Sequence, residues 1–256
     1  MAKYTIQPVS TGSFAEAETS LLYYLADDRN AGVKIPAVYW MFVIRGEGFL
    51  AVVDTGPGDP EPWKKFHHDY DRTPAEEPVE ALRRCGIVPG DVDVVINSHL
   101  HWDHCHANHL FPNATIRVQA QEIIEAMNPV PAHRGLYTPL AADPPWARVI
   151  QKTVPVSGDA EIVPGIRVLA MPSHTIGFQS VLVDTALGPI LIAGDMLPYF
   201  DNWTGRSGFE HIPSGIFESS LHDYYACFDR IHQINPVAVL PGVDPRVAEK
   251  EVYGVS

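Results

Sequence analysis

The chain contains a dense group of histidines: residues 98–104 read SHLHWDH, an H-x-H-x-D-H pattern. The pattern follows directly on the apolar run 92–97, which Pro89 and Gly90 precede and which is typical of a buried strand. We therefore expect the pattern on a loop at the C-terminal end of a strand, where open α/β sheets place their ligands. Imidazole and carboxylate groups without a thiolate suit zinc or iron and leave room for a water ligand. The stretch predicts a metal site rather than a set of surface histidines.

The composition is typical of one large globular domain with an acidic surface. Of the 256 residues, 46% are hydrophobic and 19% are charged, so the chain can bury a sizeable core, and we predict a single domain over residues 1–256. The net charge of −13 argues against a nucleic-acid partner, because phosphate binding depends on Lys and Arg, and against an anionic membrane surface. A small-molecule substrate is the expected partner, and the sequence makes no prediction of the oligomeric state.

No targeting or membrane segment is visible in the sequence. Residues 1–8 lack the apolar core of a secretory signal, and no apolar run is long enough to span a bilayer. The three cysteines, Cys85, Cys105 and Cys227, lie far apart and form no C-x-x-C pair, which is typical of reduced thiols. We therefore expect a cytoplasmic protein.

Apolar and alternating runs predict strands in both halves of the chain, so we expect two facing sheets with helices outside. The predicted strands are 4–9, 37–44, 49–53, 92–97, 116–120, 149–154, 160–163, 166–170, 180–183, 190–193 and 237–240. The predicted helices are 79–85, 121–127 and about 217–234, and the predicted loops include 13–34, 57–78 and 128–147. The loop over 13–34 is expected to cover a site.

Three further polar groups follow predicted strands. His174 comes after the run 166–170 and Asp195 after the run 190–193, and together with the histidine cluster they exceed what one metal ion needs. A pair of metal ions bridged by a carboxylate is therefore expected. Asp54 ends the run 49–53 and is equally compatible with a carboxylate under the cluster and with a turn-initiating residue.

Six short motifs resemble the metallo-β-lactamase superfamily, and within it the N-acyl-homoserine lactone lactonase branch. They are VDTG (53–56), SHLHWDH (98–104), LFPNA (110–114), PSHTIG (172–177), AGD (193–195) and PGVDP (241–245). The resemblance implies an αββα sandwich of two mixed β-sheets flanked by helices, with a dinuclear metal site at one edge of the sheets.

The resemblance also implies a role for each candidate ligand. His99, His101 and His174 would hold the first metal, Asp103 and His104 the second, and Asp195 would bridge both, while Asp54 would brace the motif loop. Zinc is the implied metal, with two ions per chain and iron or manganese as alternatives. The chain departs from the family at Val243, where the family motif PGHD supplies a histidine ligand, so the second site is expected to be weak or empty unless Asp244 compensates.

The function implied by the resemblance is a metallo-hydrolase that opens a lactone or related cyclic ester by attack of a metal-bound hydroxide. Asp103 would pass a proton to the leaving alkoxide. Tyr199 resembles the hydroxyl donor of the family, although it lies one residue further from Asp195 than the family tyrosine does. The expected substrate pocket is apolar and aromatic, with Trp102, Trp40, Phe200 and His133 as its candidate residues.

Three other functions remain open from the sequence. The same scaffold could hydrolyse another ester, a thioester or an amide, because a fold does not determine its substrate. The loss of a ligand at Val243 motivates a mononuclear iron oxygenase that uses His99, His101 and His174. It equally motivates an impaired or non-catalytic protein that binds a ligand without turnover.

Overall fold

The chain folds into two β-sheets that pack face to face. The computed structural model describes residues 3–24, 32–63, 70–138, 143–206 and 208–255. The strands of the first sheet are β1 (Thr5–Glu18), β2 (Lys34–Gly46), β3 (Phe49–Val53), β4 (Val94–Ile96), β5 (Thr115–Gln119) and β6 (Thr153–Val156). Those of the second are β7 (Ala160–Val163), β8 (Ile166–Ala170), β9 (Gln179–Thr185), β10 (Gly188–Gly194) and β11 (Ala238–Pro241).

Helices connect the strands and cover the outer faces. The α-helices are α1 (Thr19–Leu22), α2 (Pro60–Trp63), α3 (Pro78–Arg84), α4 (Trp102–Cys105), α5 (Ala120–Met127), α6 (Arg134–Tyr137), α7 (Phe200–Thr204) and α8 (Leu221–Ile234). Segments of 3-10 helix are Pro74–Glu76, Pro89–Asp91, His106–Leu110, Pro145–Lys152 and Pro245–Glu249. Within the described ranges no helix has both the length and the apolar character that crossing a membrane requires.

The strand order brings several strand ends to one edge. The first sheet runs β1-β2-β3-β4-β5-β6, with antiparallel pairs up to β3 and parallel pairs from β3 to β6. The second runs β11-β10-β9-β8-β7, and only its β10–β11 pair is parallel. Parallel strands end at the same edge of a sheet, so the chain segments after β3 and β4 emerge side by side, as do those after β10 and β11.

Alternation along the strands divides the core into layers. Ala51 and Val53 of β3 lie in the cluster between the sheets, whereas Val52 lies in a cluster beneath α3. In the second sheet Leu182 and Leu191 pack under α8, on the face opposite the inter-sheet core. Successive side chains of a strand point to opposite faces, so both faces of each sheet are buried. The arrangement confirms the predicted αββα sandwich.

The structure differs from the predicted elements mainly in two places. The stretch 13–34 was expected to be an irregular loop, but β1 continues to Glu18 and β2 begins at Lys34, with residues 25–31 outside the described part. Two register shifts interrupt the β1–β2 pairing, and each breaks the alternation by which a strand is recognised. The stretch 149–154 was expected to be a strand, but it is mostly the end of a 3-10 helix.

Candidate metal centre

The first group of possible metal ligands consists of His99, His101 and His174. The first two follow β4, and the third lies in the loop after β8. All three are buried, and one nitrogen from each lies within 4.8 Å of the others. His101 Nδ1 and His174 Nε2 are 3.2 Å apart. That separation is close to the roughly 3.4 Å between two nitrogens on a tetrahedral zinc with bonds of about 2.1 Å.

The second group consists of His99, His104 and Asp195, again with one ligand atom each within 4.8 Å of the others. Asp195 follows β10, and its Oδ2 lies 3.2 Å from His104 Nε2 and 3.8 Å from His174 Nε2. The carboxylate is therefore located between the two groups. Asp103 lies at the same place, with its Oδ2 3.7 Å from His104 Nε2.

Hydrogen bonds orient the histidine rings toward a common point. Asp54 accepts the backbone N–H and the hydroxyl of Ser98, at 2.7 Å each, and its Oδ2 lies 2.9 Å from His104 Nδ1. Because the Ser98 hydroxyl donates to Asp54, it accepts from His99 Nδ1 at 2.9 Å. His174 Nδ1 donates to the carbonyl of Ile216 at 2.9 Å. Each ring is thus held as the tautomer that leaves Nε2 as an acceptor for a metal.

The residues present fit a metal ion. Within the described part of the chain, His99 Nε2 and Asp195 Oδ1 are buried and have no hydrogen-bond partner. Leaving a buried polar atom unsatisfied costs about 1–3 kcal/mol, and coordination to a cation would remove that cost. A donor set of imidazole nitrogen and carboxylate oxygen suits zinc, iron or manganese.

The electrostatics of the site favour the metal-binding protonation states of His99, His174 and Asp195. Burial, reinforced by the neighbouring histidines, holds the pKa of His99 well below its usual value. Burial likewise lowers the pKa of His174. Burial alone would raise the pKa of Asp195, but the nearby His104 outweighs it and the net shift is downward. Neutral imidazoles and an ionised carboxylate are the forms that bind a cation. His104 differs: burial would lower its pKa, but the carboxylates of Asp195, Asp103 and Asp54 outweigh burial and hold the pKa well above its usual value, so a cation bound there would displace a proton from the ring.

Asp54 adopts a backbone conformation that non-glycine residues seldom take, with φ of 56°. It is 4% exposed, and the three hydrogen bonds of its carboxylate go to the motif segment. The conformation directs the carboxylate beneath residues 98–104, which agrees with a bracing role rather than with a turn-initiating one. Such outer carboxylates fix the orientation of metal ligands.

An open cavity lies above the ligand groups. Its polar floor contains His101, Asp103, His174 and Asp195. Its walls are mainly apolar, with Ser214 as a polar member, and the other wall residues are Phe14, Ala17, Leu21, Leu22, Tyr39, Trp102, Leu136, Pro198, Ile216 and Val243. Several of these wall residues come from the stretch 13–34, which therefore covers the site although much of it is a strand.

The sequence profile of the metallo-beta-lactamase superfamily matches residues 36–242. The chain belongs to this superfamily. An N-acyl homoserine lactonase from Bacillus sp is 34% identical over 144 residues, which cover 56% of this chain and 52% of that protein. An N-acyl homoserine lactonase from Bacillus cereus is 29% identical over 196 residues, 71% of each chain. The chain thus spans about half the length of the first of these relatives.

Solved structures of the superfamily share the fold over nearly the whole chain. A mutant of B. thuringiensis AiiA, crystallised with N-decanoyl-L-homoserine at its active site, superposes with a TM-score of 0.74 at 22% identity and covers 97% of this chain and 96% of that one. AidC, a dizinc quorum-quenching lactonase in complex with a product, superposes with a TM-score of 0.65 at 16% identity and covers 95% of this chain and 91% of that one. At these identities the likeness concerns the fold.

Of the four residues predicted for the substrate pocket, the structure places only Trp102 in the cavity wall. Trp40 points into the core between the sheets, and its indole N–H donates to the Asp244 carbonyl at 3.0 Å. Phe200 packs against the same core, beneath the Arg246 guanidinium. His133 Nδ1 lies 2.5 Å from the Glu218 carboxylate. The pocket prediction is corrected accordingly, because these three side chains have other partners.

The predicted hydroxyl donor, Tyr199, is also held elsewhere. Its hydroxyl donates to the backbone carbonyl of Pro36, and the ring packs in an aromatic cluster with Tyr23. Tyr199 is 6% exposed and is not among the residues of the cavity wall. The Pro36 carbonyl therefore already accepts the hydrogen bond that the Tyr199 hydroxyl would have to donate to an oxyanion.

Val243 faces the cavity close to Asp195. The preceding Gly242 is so close to that carboxylate that an added Cβ would lie 2.1 Å from Asp195 Oδ1. Asp244 does not take over as a ligand, because it is buried and accepts hydrogen bonds from Arg246 and from the backbone N–H of Phe200. The contacts of Asp244 therefore argue against the alternative in which it compensates for the missing histidine.

Glu122 is a site residue that the sequence reasoning missed. It lies in the first turn of α5 and is fully buried. Its Oε1 accepts a hydrogen bond at 2.8 Å from the backbone N–H of Leu100, which lies between His99 and His101. Its Oε2 accepts a hydrogen bond at 2.6 Å from the hydroxyl of Thr175, the residue after His174. Glu122 thus joins the two chain segments that carry the first ligand group. An acidic residue early in a helix is too common in proteins to have drawn attention.

Proposed function

We propose that this chain is a metal-dependent hydrolase that opens lactone rings, with N-acyl homoserine lactones as its substrate class. The observation that carries the proposal is the pair of ligand groups, sharing His99, at the floor of a cavity with apolar walls. The curated relatives named above are N-acyl homoserine lactonases, and the related AiiA structure holds an N-acyl homoserine at its active site. Both facts support this substrate class.

Zinc is the metal we propose, in agreement with the dizinc relative AidC. His99, His101 and His174 would hold one ion and His104 and Asp103 the other, with Asp195 contributing to both. A zinc ion in such a site lowers the pKa of a bound water toward neutrality and polarises a carbonyl group.

The protein side chains perform the remaining tasks in this proposal. Asp103 lines the cavity floor and its side chain is 20% exposed, so it can reach the leaving alkoxide and deliver a proton to it. The apolar wall, which includes Phe14 and Leu22, receives the acyl chain and excludes water from the carbonyl. Asp54 and Glu122 hold the ligand segments in place.

Purified protein is expected to hydrolyse N-acyl homoserine lactones, to lose that activity in a chelator, and to regain it with zinc. A pH-stat assay with hexanoyl and decanoyl homoserine lactones measures this directly, and a thioester and a β-lactam serve as comparison substrates. Inactivity on every lactone together with turnover of the thioester would replace the lactone assignment by another hydrolase activity.

The valine at position 243 leads to a prediction about zinc affinity. Val243→His is expected to tighten binding of the second zinc by more than about 10-fold, since even outer-shell partners are worth 10- to 100-fold in metal affinity. Titration with zinc in competition with a chromogenic chelator measures both dissociation constants. Val243→Leu is the matched control, because it fills the same space without a ligand atom. Equal second-site affinity in the histidine and leucine variants would contradict the assignment.

A further inference from the structure

Tyr39 differs from the other buried tyrosines in what its hydroxyl does. The hydroxyls of Tyr4, Tyr70, Tyr199, Tyr224 and Tyr253 donate to backbone carbonyls, and that of Tyr137 donates to Glu218. Tyr23 packs beside the Arg206 guanidinium. Tyr39 is only 4% exposed, yet its hydroxyl forms no hydrogen bond with any other residue in the described ranges. That hydroxyl oxygen is not among the fully buried polar atoms that lack a partner, so it keeps contact with the solvent of the cavity that Tyr39 lines.

The ring of Tyr39 is held rigidly. It meets Tyr70 and Trp102 edge to face, with ring centroids 5.5 Å and 6.2 Å away, and Phe14 at 5.3 Å. Its neighbours along β2, Val38 and Trp40, face the core between the sheets, so Tyr39 points to the opposite face. Its position therefore does not depend on a bound ligand.

The same ring forms part of the wall of the cavity above the ligand groups. It lines the same cavity as Val243 of the wall and as Asp103 and Asp195 of the floor. The backbone of β2 is attached to the Val243 turn, because Val38 N–H donates to the Val243 carbonyl at 3.0 Å. Tyr39 thus stands on the side of the site where a histidine ligand is missing.

The phenol remains protonated in this position. Burial is the main cause that holds the pKa of Tyr39 well above its usual value, and the carboxylates of Asp103 and Asp195 add to it, with a contribution from Tyr70. A tyrosine hydroxyl, with an ordinary pKa of about 10, is protonated near neutral pH and can donate a hydrogen bond into the cavity.

We propose that Tyr39 is a catalytic residue, whose hydroxyl donates a hydrogen bond to the carbonyl oxygen of the bound ester as negative charge develops there. The inference rests on the proposed function. In the reaction the oxygen of a water forms a bond to the carbonyl carbon, the ring C–O bond breaks, and one proton of that water passes to the leaving alkoxide. Tyr39 keeps its own proton throughout and stabilises the oxyanion.

Tyr39→Phe tests the assignment. It is expected to lower kcat on decanoyl homoserine lactone by about 10²-fold, the loss typical of removing one oxyanion donor, and to leave KM and zinc content per chain unchanged. Tyr70→Phe is the matched control: it removes a buried hydroxyl from the same aromatic cluster, but one that is bonded to the Gly58 carbonyl. It is expected to keep kcat within about twofold while lowering the melting temperature.

A second measurement separates this inference from the proposed function. Phenylphosphonate presents a tetrahedral anion, and calorimetry on the zinc-loaded protein is expected to show at least tenfold weaker binding in Tyr39→Phe than in Tyr70→Phe. This result would support Tyr39 even if the wild type opened no lactone. Equal phosphonate affinity in the two variants, or a kcat loss in Tyr199→Phe but not in Tyr39→Phe, would overturn the assignment.

Discussion

Replacing Asp195 with asparagine is expected to lower kcat on a lactone by about 10³-fold. The carboxylate lies between His104 and His174 and is the charged group common to both sides of the site. An amide has nearly the same shape but no negative charge, and several kcal/mol of lost charge stabilisation correspond to that factor in rate. The measurement is kcat together with zinc per chain by elemental analysis, and we expect both to fall.

The control for this experiment is Asp159→Asn. Asp159 pairs with Arg230 on the surface, its side chain is 51% exposed, and exposed pairs contribute little to stability. Its replacement is expected to leave kcat and zinc content unchanged. If Asp195→Asn retained two zinc ions and wild-type turnover, the bridging role of this carboxylate would be refuted.

Replacing Glu122 with alanine is expected to lower the free energy of unfolding by about 3 kcal/mol or more. Two buried donors, the Leu100 N–H and the Thr175 hydroxyl, lose their acceptor, and each unsatisfied donor costs about 1–3 kcal/mol. Because the variant releases both ligand segments, zinc binding to the first site is expected to weaken about 10- to 100-fold. Urea denaturation and chelator competition measure the two effects.

Glu125→Ala is the matched control on the same helix, since Glu125 is partly exposed. Its effect on unfolding is expected to stay within about 0.5 kcal/mol. If the zinc affinity of Glu122→Ala fell no further than that of Glu125→Ala, Glu122 would have no role in positioning the metal ligands.

The charge of Glu122 adds a dependence on pH. Burial raises the pKa of Glu122 from 4.5 to about 7, although its hydrogen bonds with Thr175 and Leu100 oppose the change. Between these values the folded chain holds the Glu122 proton more tightly than the unfolded chain, so this contribution to stability is complete below about 4.5 and is lost as the pH rises through about 7. Glutamine does not titrate. The unfolding free energy of the wild type minus that of Glu122→Gln is therefore expected to fall across this window, and a constant difference would contradict the raised pKa.

The strands with regular alternation were predictable because their pattern is local. The predicted strands 49–53 and 166–170 agree with β3 and β8, since each alternates between the two layers of the core. The long β1 was not predictable, because its register shifts depend on pairing with β2 and break the alternation in the sequence. Residues 149–152, the end of the 3-10 helix Pro145–Lys152, were predicted as part of a strand because a short apolar run carries no clear period.

Residues 98–104 could be predicted from the sequence alone as a candidate metal-binding segment. His99, His101, Asp103 and His104 lie within six residues, so the local chain brings them together in almost any fold that buries the preceding strand. Only the tertiary structure decided the partners of the other groups. Tyr199 was the predicted hydroxyl donor, and no role was predicted for Tyr39. The carbonyl that accepts from Tyr199 and the carboxylates that share a cavity with Tyr39 come from distant parts of the chain. Burial and hydrogen bonding depend on such long-range neighbours, and for that reason they cannot be predicted from local spacing.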